Sequence, residues 1–423
     1  MKSIKFLQRL IFSAAFVYSC ILPVEPSLAE ENSPVKTWSK EDIKTSDQSP
    51  CRRVFKDPKP PETLCNRCVE FISKNTSLDD RTVLMREFSA IDCRYKDAAF
   101  PEPNRTGWSL YADQDTFYPP RNDDRNYTMG LGLSFSGDHF KNGYLATARD
   151  TLDQLFSLHT GSNPLERIHT FEYGATAFTP NDLEEEAPIP GDRPYASLVY
   201  FSNSKLTAYN DGYAVKSRFV VAALGLGVAR TVQRYLHNTV GLSNQDPRGW
   251  SNQISDGGEP TALYSVERIG LITEDTTGKR NADLSYTMGA NLGYYTDVYA
   301  GFDLRVGFNI VAPYYAHNAN PLSTVNHVNC VNCNGSDSYL FLSVRGRAVA
   351  YNALLQGQFR ESKVEIASSD VERLLHEATA GYTQQFFDWC KLTVALNYKS
   401  KEFRGPEERS HWFGGLYISK NYD

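Results

Sequence analysis

Apolar and polar residues alternate with a period of two along several long segments of the chain. The clearest segment runs from Val298 to Phe308, where six apolar residues are separated by Tyr, Gly, Asp, Arg and Gly. Similar alternation surrounds Leu131, Leu342 and Val394. Because successive side chains of a β-strand point to opposite faces, this pattern predicts strands with one apolar face and one polar or glycine-rich face.

Soluble β-sandwiches and membrane β-barrels share this alternation, and segment length separates the two classes. The segments Ala214–Val228 and Ser338–Tyr351 exceed the roughly 5–6 residues of a usual strand and suit the roughly 9–11 of a tilted membrane strand. An all-β fold is therefore predicted, a transmembrane antiparallel β-barrel of about twelve strands. The predicted strands start near Trp108, Tyr127, Arg167, Pro194, Ala214, Thr261, Ala282, Val298, Ser338, His376, Lys391 and His411.

Composition supports a barrel and excludes several other classes of protein. The 423 residues include 44 basic and 50 acidic side chains, a net charge of −6, which is not the footprint of a nucleic-acid-binding protein. With 41% hydrophobic residues and no apolar run of membrane-helix length after the N-terminus, a bundle of membrane helices is excluded. The 25 Tyr and 28 Gly residues are typical of β structure.

The N-terminal quarter of the chain predicts export and a separate small module. Basic residues, an apolar stretch at 10–18 and small residues at 27–29 predict a secretory signal peptide over residues 1–29. Residues 30–106 are interpreted as a linker and a cysteine-bearing periplasmic module. The barrel is expected over residues 107–423.

Strand order predicts which connections lie on which side of the membrane. With a periplasmic N-terminus, the connections after odd-numbered strands are extracellular and those after even-numbered strands are periplasmic. Two of the latter, Gly137–Glu166 and Asn309–Asp337, are longer than a periplasmic turn should be. A helix is predicted within the first of them, over Ala146–Leu158.

Eight cysteines are present, and Cys20 would leave with the signal peptide. The predicted topology puts the other seven on the periplasmic side, where disulfides form. Structural disulfides are the favoured interpretation, with a four-cysteine zinc site and a redox pair as alternatives. These seven residues are Cys51, Cys65, Cys68, Cys93, Cys330, Cys333 and Cys390.

Four polar clusters fall at the extracellular rim in this topology. Together they supply carboxylates, an amide, a hydroxyl and a histidine, which is a plausible hydrolytic set. The alternative interpretation is an ordinary polar rim with a solvated histidine. The clusters are Asp113–Phe117, Asp124–Thr128, Gly191–Ala196 and Gln233–His237, the last followed by Gly249–Gln253.

The four clusters, in this order, resemble the outer-membrane lipid A 3′-O-deacylase family. Its pattern is an Asn-Asp-x-Phe type segment, then Asp-Arg-x-Tyr-Thr, Asp-Arg-Pro-Tyr-Ala and a Gln-x-x-x-His helix. Asn352–Gly357 and Ser400–Phe403 are also similar, so the resemblance extends from about Trp108 to the C-terminus. It implies a twelve-stranded barrel that uses calcium to remove the ester-linked acyl chains at the 3′ position of lipid A.

The resemblance also implies roles for individual residues. His237 would be the general base, Asp115 would help hold calcium, and Thr128 would lie beside the nucleophile. Gln114 stands where the family has Asn, which moves the side-chain amide by about one methylene group. Strand alternation predicts that Gln114 and Asp115 point to opposite faces unless the strand bends there.

The chemistry of the remaining clusters extends this hypothesis. Asp124 and main-chain carbonyls are further candidate oxygen ligands for calcium. Arg125 and Arg193 are candidates for binding the phosphates of lipopolysaccharide, because guanidinium groups bind phosphate bidentately. Salt bridges to the neighbouring Asp124 and Asp192 are the alternative for the two arginines.

Two other functions remain open on the sequence alone. One is a catalytically silent barrel whose N-terminal module binds a periplasmic partner. The other is a barrel phospholipase that acts on a different membrane lipid.

Overall fold

A computed structural model gives the fold. It describes residues 38–56, 67–68, 71–72, 84, 107–115, 126–156, 158, 164–209, 212–235, 246–274, 281–308, 310, 338–386, 390–406 and 408–421. Several sequence predictions fall outside these residues, namely those on the signal peptide, Asp124, Arg125, His237, Cys65, Cys93, Cys330, Cys333 and most of the connection at 309–337.

Twelve antiparallel strands form a closed barrel, as the alternation predicts. Each strand pairs with its sequence neighbours, and β1 pairs with β12 to close the sheet. The strands are β1 Gly107–Gln114, β2 Asn126–Ser136, β3 Pro164–Thr179, β4 Ala196–Tyr209, β5 Tyr213–Leu224, β6 Glu259–Glu274, β7 Ala282–Gly293, β8 Tyr295–Phe308, β9 Ser338–Asn352, β10 Leu374–Phe386, β11 Cys390–Lys399 and β12 His411–Asn421.

We call the end of the barrel where β1 ends and β2 begins the rim, and the opposite end the base. The sequence topology predicts an extracellular rim and a periplasmic base. The predicted strand Ala214–Val228 is shorter in the structure and ends at Leu224. The reason is Gly225, whose φ of 71° lies in the left-handed region and ends the strand before a helix begins at Val228.

The two faces of the wall differ in chemistry. On β9, Leu340, Leu342 and Val344 are exposed on the outer face. Between and beyond them, Ser343 and Arg345 are buried on the inner face. The apolar outer face is the arrangement expected of a wall that contacts lipid.

Polar side chains fill the lumen near β1. The Asp113 carboxylate accepts hydrogen bonds from the Tyr417 hydroxyl at 2.7 Å and from the Tyr127 hydroxyl at 3.3 Å. Gly132 makes room for this packing, because a Cβ atom there would overlap the ring of Tyr111. These polar and aromatic side chains therefore fill this part of the lumen and hold the strands in register.

The structure gives the bounds of four α-helices: α1 Lys40–Thr45, α2 Tyr144–Leu155, α3 Val228–Tyr235 and α4 Ala353–Gln356. Helix α2 confirms the predicted helix in the β2–β3 connection, although it starts two residues earlier and ends three residues earlier than predicted. None of the helices among the described residues is long and apolar enough to cross a membrane.

Two predicted disulfide cysteines are joined in the N-terminal module. Cys51 is bonded to Cys68, and Cys68 therefore does not pair with its neighbour in the Cys-x-x-Cys motif. Cys390, at the start of β11, is also disulfide-bonded. These bonds confirm the disulfide interpretation for these three cysteines.

Candidate active site at the barrel rim

The rim end of β1 carries a polar residue on the outer face of the wall. Gln114 ends β1, where it pairs with Met129 of β2 and Gly414 of β12. Asp113, its neighbour, points into the lumen, so alternation directs the Gln114 side chain outward. Burial follows this pattern, since Asp113 and Asp115 are buried and Gln114 between them is half-buried. Asp115 lies one residue beyond the end of β1, so strand alternation does not extend to it, and the opposition of Gln114 and Asp115 stays a prediction.

A β-bulge brings a hydroxyl group to the same face. The β2–β3 register shifts between Tyr127 and Met129, which leaves Thr128 as an extra residue. Asn126 precedes the bulge with a φ of 63°, a left-handed conformation that Asn adopts more readily than most residues. The hydroxyl oxygens of Thr128 and Thr179 lie 2.6 Å apart. Because alternation in β3 places Thr179 on the outer face, the bulge directs Thr128 outward as well.

Helix α3 packs against the outer wall at this point. The indole Nε1–H of Trp250 donates a hydrogen bond to the side-chain oxygen of Gln233 at 2.8 Å. The Trp250 ring also packs on Tyr195, with ring centroids 4.7 Å apart. His237, the predicted general base of the reaction, follows the last residue of α3 by two positions in the sequence. The apolar cluster that holds the helix contains Ala177, Leu183, Tyr195, Ala229 and Trp250, with Met129 packed against it.

Asp115 follows β1 directly and is 5% exposed. Calcium takes oxygen ligands, so a buried carboxylate at the rim fits a calcium site in ligand type. Within the described parts of the chain, no three His, Cys, Asp or Glu side chains are grouped closely enough to hold a metal ion. Of the two predicted calcium ligands, Asp115 is the one whose position the structure describes.

Arg193 lies inside the mouth of the barrel in a buried ion pair. Its guanidinium pairs with Glu402 and lies 4.3 Å from the centroid of the Phe178 ring. The carboxylate of Asp192 instead accepts hydrogen bonds from the main-chain N–H groups of Asn181 and Arg193, each at 2.7 Å. Arg193 therefore forms an ion pair, as the alternative interpretation expected, but its partner is Glu402 instead of Asp192.

Two carboxyl groups at this mouth have shifted pKa values in opposite directions. Burial opposes the ionisation of Glu402, but the charges of Arg193 and Lys399 outweigh it and hold its pKa well below the usual range. Burial raises the pKa of Glu408 to about 7. The main-chain N–H of Glu402 donates to the Glu408 carboxyl at 3.0 Å, so the two groups are physically linked.

A small pocket lies in the β3–β4 connection beside Tyr195. Its lining is mainly apolar and includes Pro188, Ile189 and Pro194. Gln114 and Thr128 do not line it, so it is separate from the outward-facing pair that the bulge creates.

The sequence model of a family described as Outer membrane protein LpxR matches residues 88–422, well over half of the chain. The chain belongs to the LpxR family of outer membrane proteins. The family resemblance seen in the sequence is thereby confirmed, as is the location in the outer membrane. LpxR proteins are lipid A-modifying barrels, and this chain is one of them by family.

LpxR from Salmonella typhimurium has a solved structure similar to this one, with a TM-score of 0.59 at 16% sequence identity. The match covers 74% of this chain and 99% of that chain. At this identity the likeness shows the fold alone. The β domain of the Bordetella autotransporter BrkA matches 75% of this chain and 99% of its own, at 8% identity and a TM-score of 0.35. No curated protein matches the chain.

Against the LpxR-type motifs, the described site residues divide into two groups. Gln114 and Thr128 both face outward at the rim ends of neighbouring strands, whereas Arg193 lies on the inner side of the wall. Gln233 and Trp250 both lie in the predicted rim motifs, and the hydrogen bond between them is a contact that the motifs alone do not predict. The Gln-x-x-x-His spacing was the available signal for Gln233, while the Trp250 contact crosses a loop and has no spacing rule.

Proposed function

We propose that this chain is an outer-membrane esterase that hydrolyses the 3′-position ester-linked acyl chains of lipid A. The observation that carries the proposal is the outward direction of Gln114 and Thr128, beside α3. Thr128 itself is buried and Gln114 is half-buried, so lipid A that diffuses along the outer wall would reach this face through Gln114. A site in the packed lumen would not be accessible in this way.

His237 is the proposed general base. An imidazole near neutrality takes a proton from water and later donates it to the leaving alkoxide. Thr128 lies beside the attacking water, and the amide of Gln114 orients that water or donates to the oxyanion. The Trp250–Gln233 hydrogen bond acts indirectly, since it fixes α3 and thereby the chain that leads to His237.

Calcium is the proposed cofactor, held by Asp115, Asp124 and main-chain carbonyl oxygens. A hard cation at this position supplies positive charge to the developing oxyanion. An Asp115→Asn variant should bind calcium more weakly, which the calcium-induced rise in unfolding temperature of the purified protein measures without an activity assay. An equal rise in wild type and variant would remove Asp115 from the calcium site.

Substrate binding is assigned chiefly to Arg125, by contact with a lipid A phosphate. Arg193 is a weaker candidate in this geometry, because its guanidinium is buried against Glu402 and Phe178. We assign Arg193 to holding the mouth of the barrel in shape.

Mass spectrometry of lipid A tests the function directly. Outer membranes from cells that carry the wild-type chain should contain lipid A that lacks the 3′ acyl chains, whereas cells with His237→Ala should contain the intact form. His139→Ala is the matched control, since His139 is exposed near the base. Lysophospholipids in place of deacylated lipid A would establish the phospholipase alternative. Unchanged lipids with a folded wild-type barrel would establish the silent barrel.

A further inference from the structure

Helix α2 turns its charged residues toward the barrel and its uncharged residues away from it. Arg149 and Asp153 are 0% and 1% exposed. On the opposite side, Tyr144 is 98% exposed and Leu155 is 72% exposed, with Thr147 between them on the same face. A helix on a water-facing surface has the reverse arrangement, with its apolar stripe inward and its charges in solvent.

The surface under α2 is the outer face of the wall. Tyr200 of β4 points into the lumen, where its hydroxyl lies 2.5 Å from the hydroxyl of Tyr111. Alternation along β4 then puts Asn203 and Lys205 on the outer face. Arg149 donates to the Asn203 side chain, so α2 lies outside the barrel.

A balanced group of charges joins α2 to this wall. The ammonium of Lys205 lies 2.6 Å from a carboxylate oxygen of Asp153 and 2.7 Å from one of Asp150. Arg149 lies 2.9 Å from the same oxygen of Asp150. Two positive and two negative side chains therefore neutralise one another beneath the helix.

Hydroxyl groups of the neighbouring strands complete the contact. Ser217 of β5 and Tyr264 of β6 each donate to Asp153, at 2.9 Å and 2.8 Å. The wall of β4, β5 and β6 is thus polar where α2 covers it. Exposed to hydrocarbon, these polar groups would be costly, because the bilayer core offers them no hydrogen-bond partners.

The level of α2 on the wall can be read from the residues on either side of it. Toward the rim, Phe201 and Val221 are exposed and apolar. Toward the base, the rings of Tyr209 and Tyr213 stack with centroids 4.7 Å apart, and the Arg268 guanidinium lies 4.1 Å from the Tyr213 centroid. Aromatic and basic residues of this kind mark the membrane interface. Helix α2 therefore lies on the membrane side of the girdle at the base.

Aromatic contacts make the segment continuous with the apolar wall. Before α2, Phe140 stacks on Phe171, whose ring packs in turn on Phe201, with centroids 5.8 Å and 6.3 Å apart. After α2, Phe156 stacks on Tyr264 at 5.5 Å. Both ends of the segment 140–156 are thereby attached to the outer face.

We propose that α2 is a lipid-facing helix that lies along the outer wall and binds the acyl chains of phospholipids in the leaflet at the base. The predicted topology makes this the periplasmic leaflet. The helix replaces lipid over a polar stretch of wall and offers the bilayer an uncharged surface in its place. This proposal rests on the outer-membrane location of the LpxR family and is independent of esterase activity.

Site-directed spin labelling tests the proposal in the full chain. Tyr144→Cys, Thr147→Cys and Leu155→Cys are labelled one at a time in vesicles of phosphatidylethanolamine and phosphatidylglycerol. Collision rates are measured with oxygen, which concentrates in lipid, and with a water-soluble nickel chelate. Phe201→Cys is the lipid reference, and Glu184→Cys, on an exposed loop at the rim, is the water reference. Heat-modifiable gel mobility verifies folding, and the wild-type chain treated with label gives the background.

The three α2 labels should resemble Phe201→Cys, with an oxygen-to-nickel ratio several-fold above that of Glu184→Cys. Ratios equal to that of Glu184→Cys would overturn the proposal, because α2 would then face water. Labels shielded from both reagents would also overturn it, since a second protein surface would then cover the helix.

Discussion

The indole N–H of Trp250 donates to the side-chain oxygen of Gln233 across the gap between a rim loop and helix α3, at 2.8 Å. Trp250 is 1% exposed and Gln233 is 2% exposed, so the bond lies in a buried contact. It fixes the orientation of the helix whose end leads to His237. Because His237 follows α3 by two positions in the sequence, its proposed role as general base would depend on this contact.

Trp250→Phe should lower deacylation while the barrel stays folded. The substitution keeps an aromatic ring against Tyr195 but removes a donor to a buried oxygen, which costs about 1–3 kcal/mol. If this loss displaces α3 from its docked position, the rate of deacylation should drop roughly tenfold to a hundredfold. Turnover of lipid A by the purified variant measures this, with Trp412→Phe on the outer face of β12 as the control. A wild-type rate would show that α3 needs no such contact.

The barrel itself could be predicted from the sequence because alternation and strand length are local properties. All twelve predicted strands are present, and their even count allows the antiparallel closure of β1 on β12 that the structure shows. The position of the connection at 137–163 on the barrel wall could not be predicted from such local properties. This connection is too long for a turn because it carries α2, whose docking on Lys205 depends on contacts between residues far apart in the chain.

The candidate site was predictable in part for the same reason. Strand alternation directs Gln114 outward from its neighbour Asp113, but the bulge that redirects Thr128 depends on pairing with β3. The partner of Arg193 was also beyond local reasoning. Asp192 is adjacent in sequence, yet Glu402 comes from the β11–β12 connection and reaches the same mouth only in the closed barrel.

Glu408→Gln should change how the stability of the barrel depends on pH. Burial raises the pKa of Glu408 to about 7 from an ordinary value of 4.5. Below 4.5 the carboxyl is protonated in both the folded and unfolded states. Between 4.5 and 7 the unfolded state ionises first, so stability falls as pH rises, by about 3 kcal/mol at most. Above about 7 the loss is complete.

The glutamine variant keeps the side-chain oxygen that accepts from the Glu402 main chain but does not ionise. Its unfolding free energy in urea should exceed that of wild type at pH 8 and match it near pH 4.5. Glu184→Gln, at an exposed position, is the control and should show no such divergence. Parallel pH curves for wild type and Glu408→Gln would contradict the assigned pKa.

Asp153→Ala should destabilise the barrel strongly. The substitution leaves Lys205 buried with Asp150 as its remaining carboxylate partner, and it removes the acceptor of Ser217 and Tyr264. Breaking a buried ion pair by removing one partner costs about 3–5 kcal/mol. Urea unfolding in lipid vesicles measures the loss, with the exposed Asp182→Ala as the matched control. A cost equal to that of the control would mean that the charges under α2 contribute nothing.

Gln114 is the residue at which the chain departs from the family motif, and its surroundings allow a decisive substitution. It faces outward and pairs with Met129 of β2 on one side and Gly414 of β12 on the other. Gln carries the same amide as Asn on one more methylene, so ordering it costs more side-chain entropy, about 0.5 kcal/mol. Losing a well-placed oxyanion donor outright costs about 10²–10³ in rate.

Gln114→Asn should therefore maintain or raise the rate of lipid A deacylation if the surrounding backbone matches the family geometry, and lower it if the backbone has adjusted to Gln. In either case Gln114→Ala should be slower than both, because it removes the amide altogether. Single-turnover rates on lipid A compare the three proteins, with Gln154→Ala as a control at an exposed amide far from the rim. Equal rates for wild type, Gln114→Asn and Gln114→Ala would place Gln114 outside the site. The outward-facing hydroxyl of Thr128 would then be the remaining described polar group from the proposed set on that face.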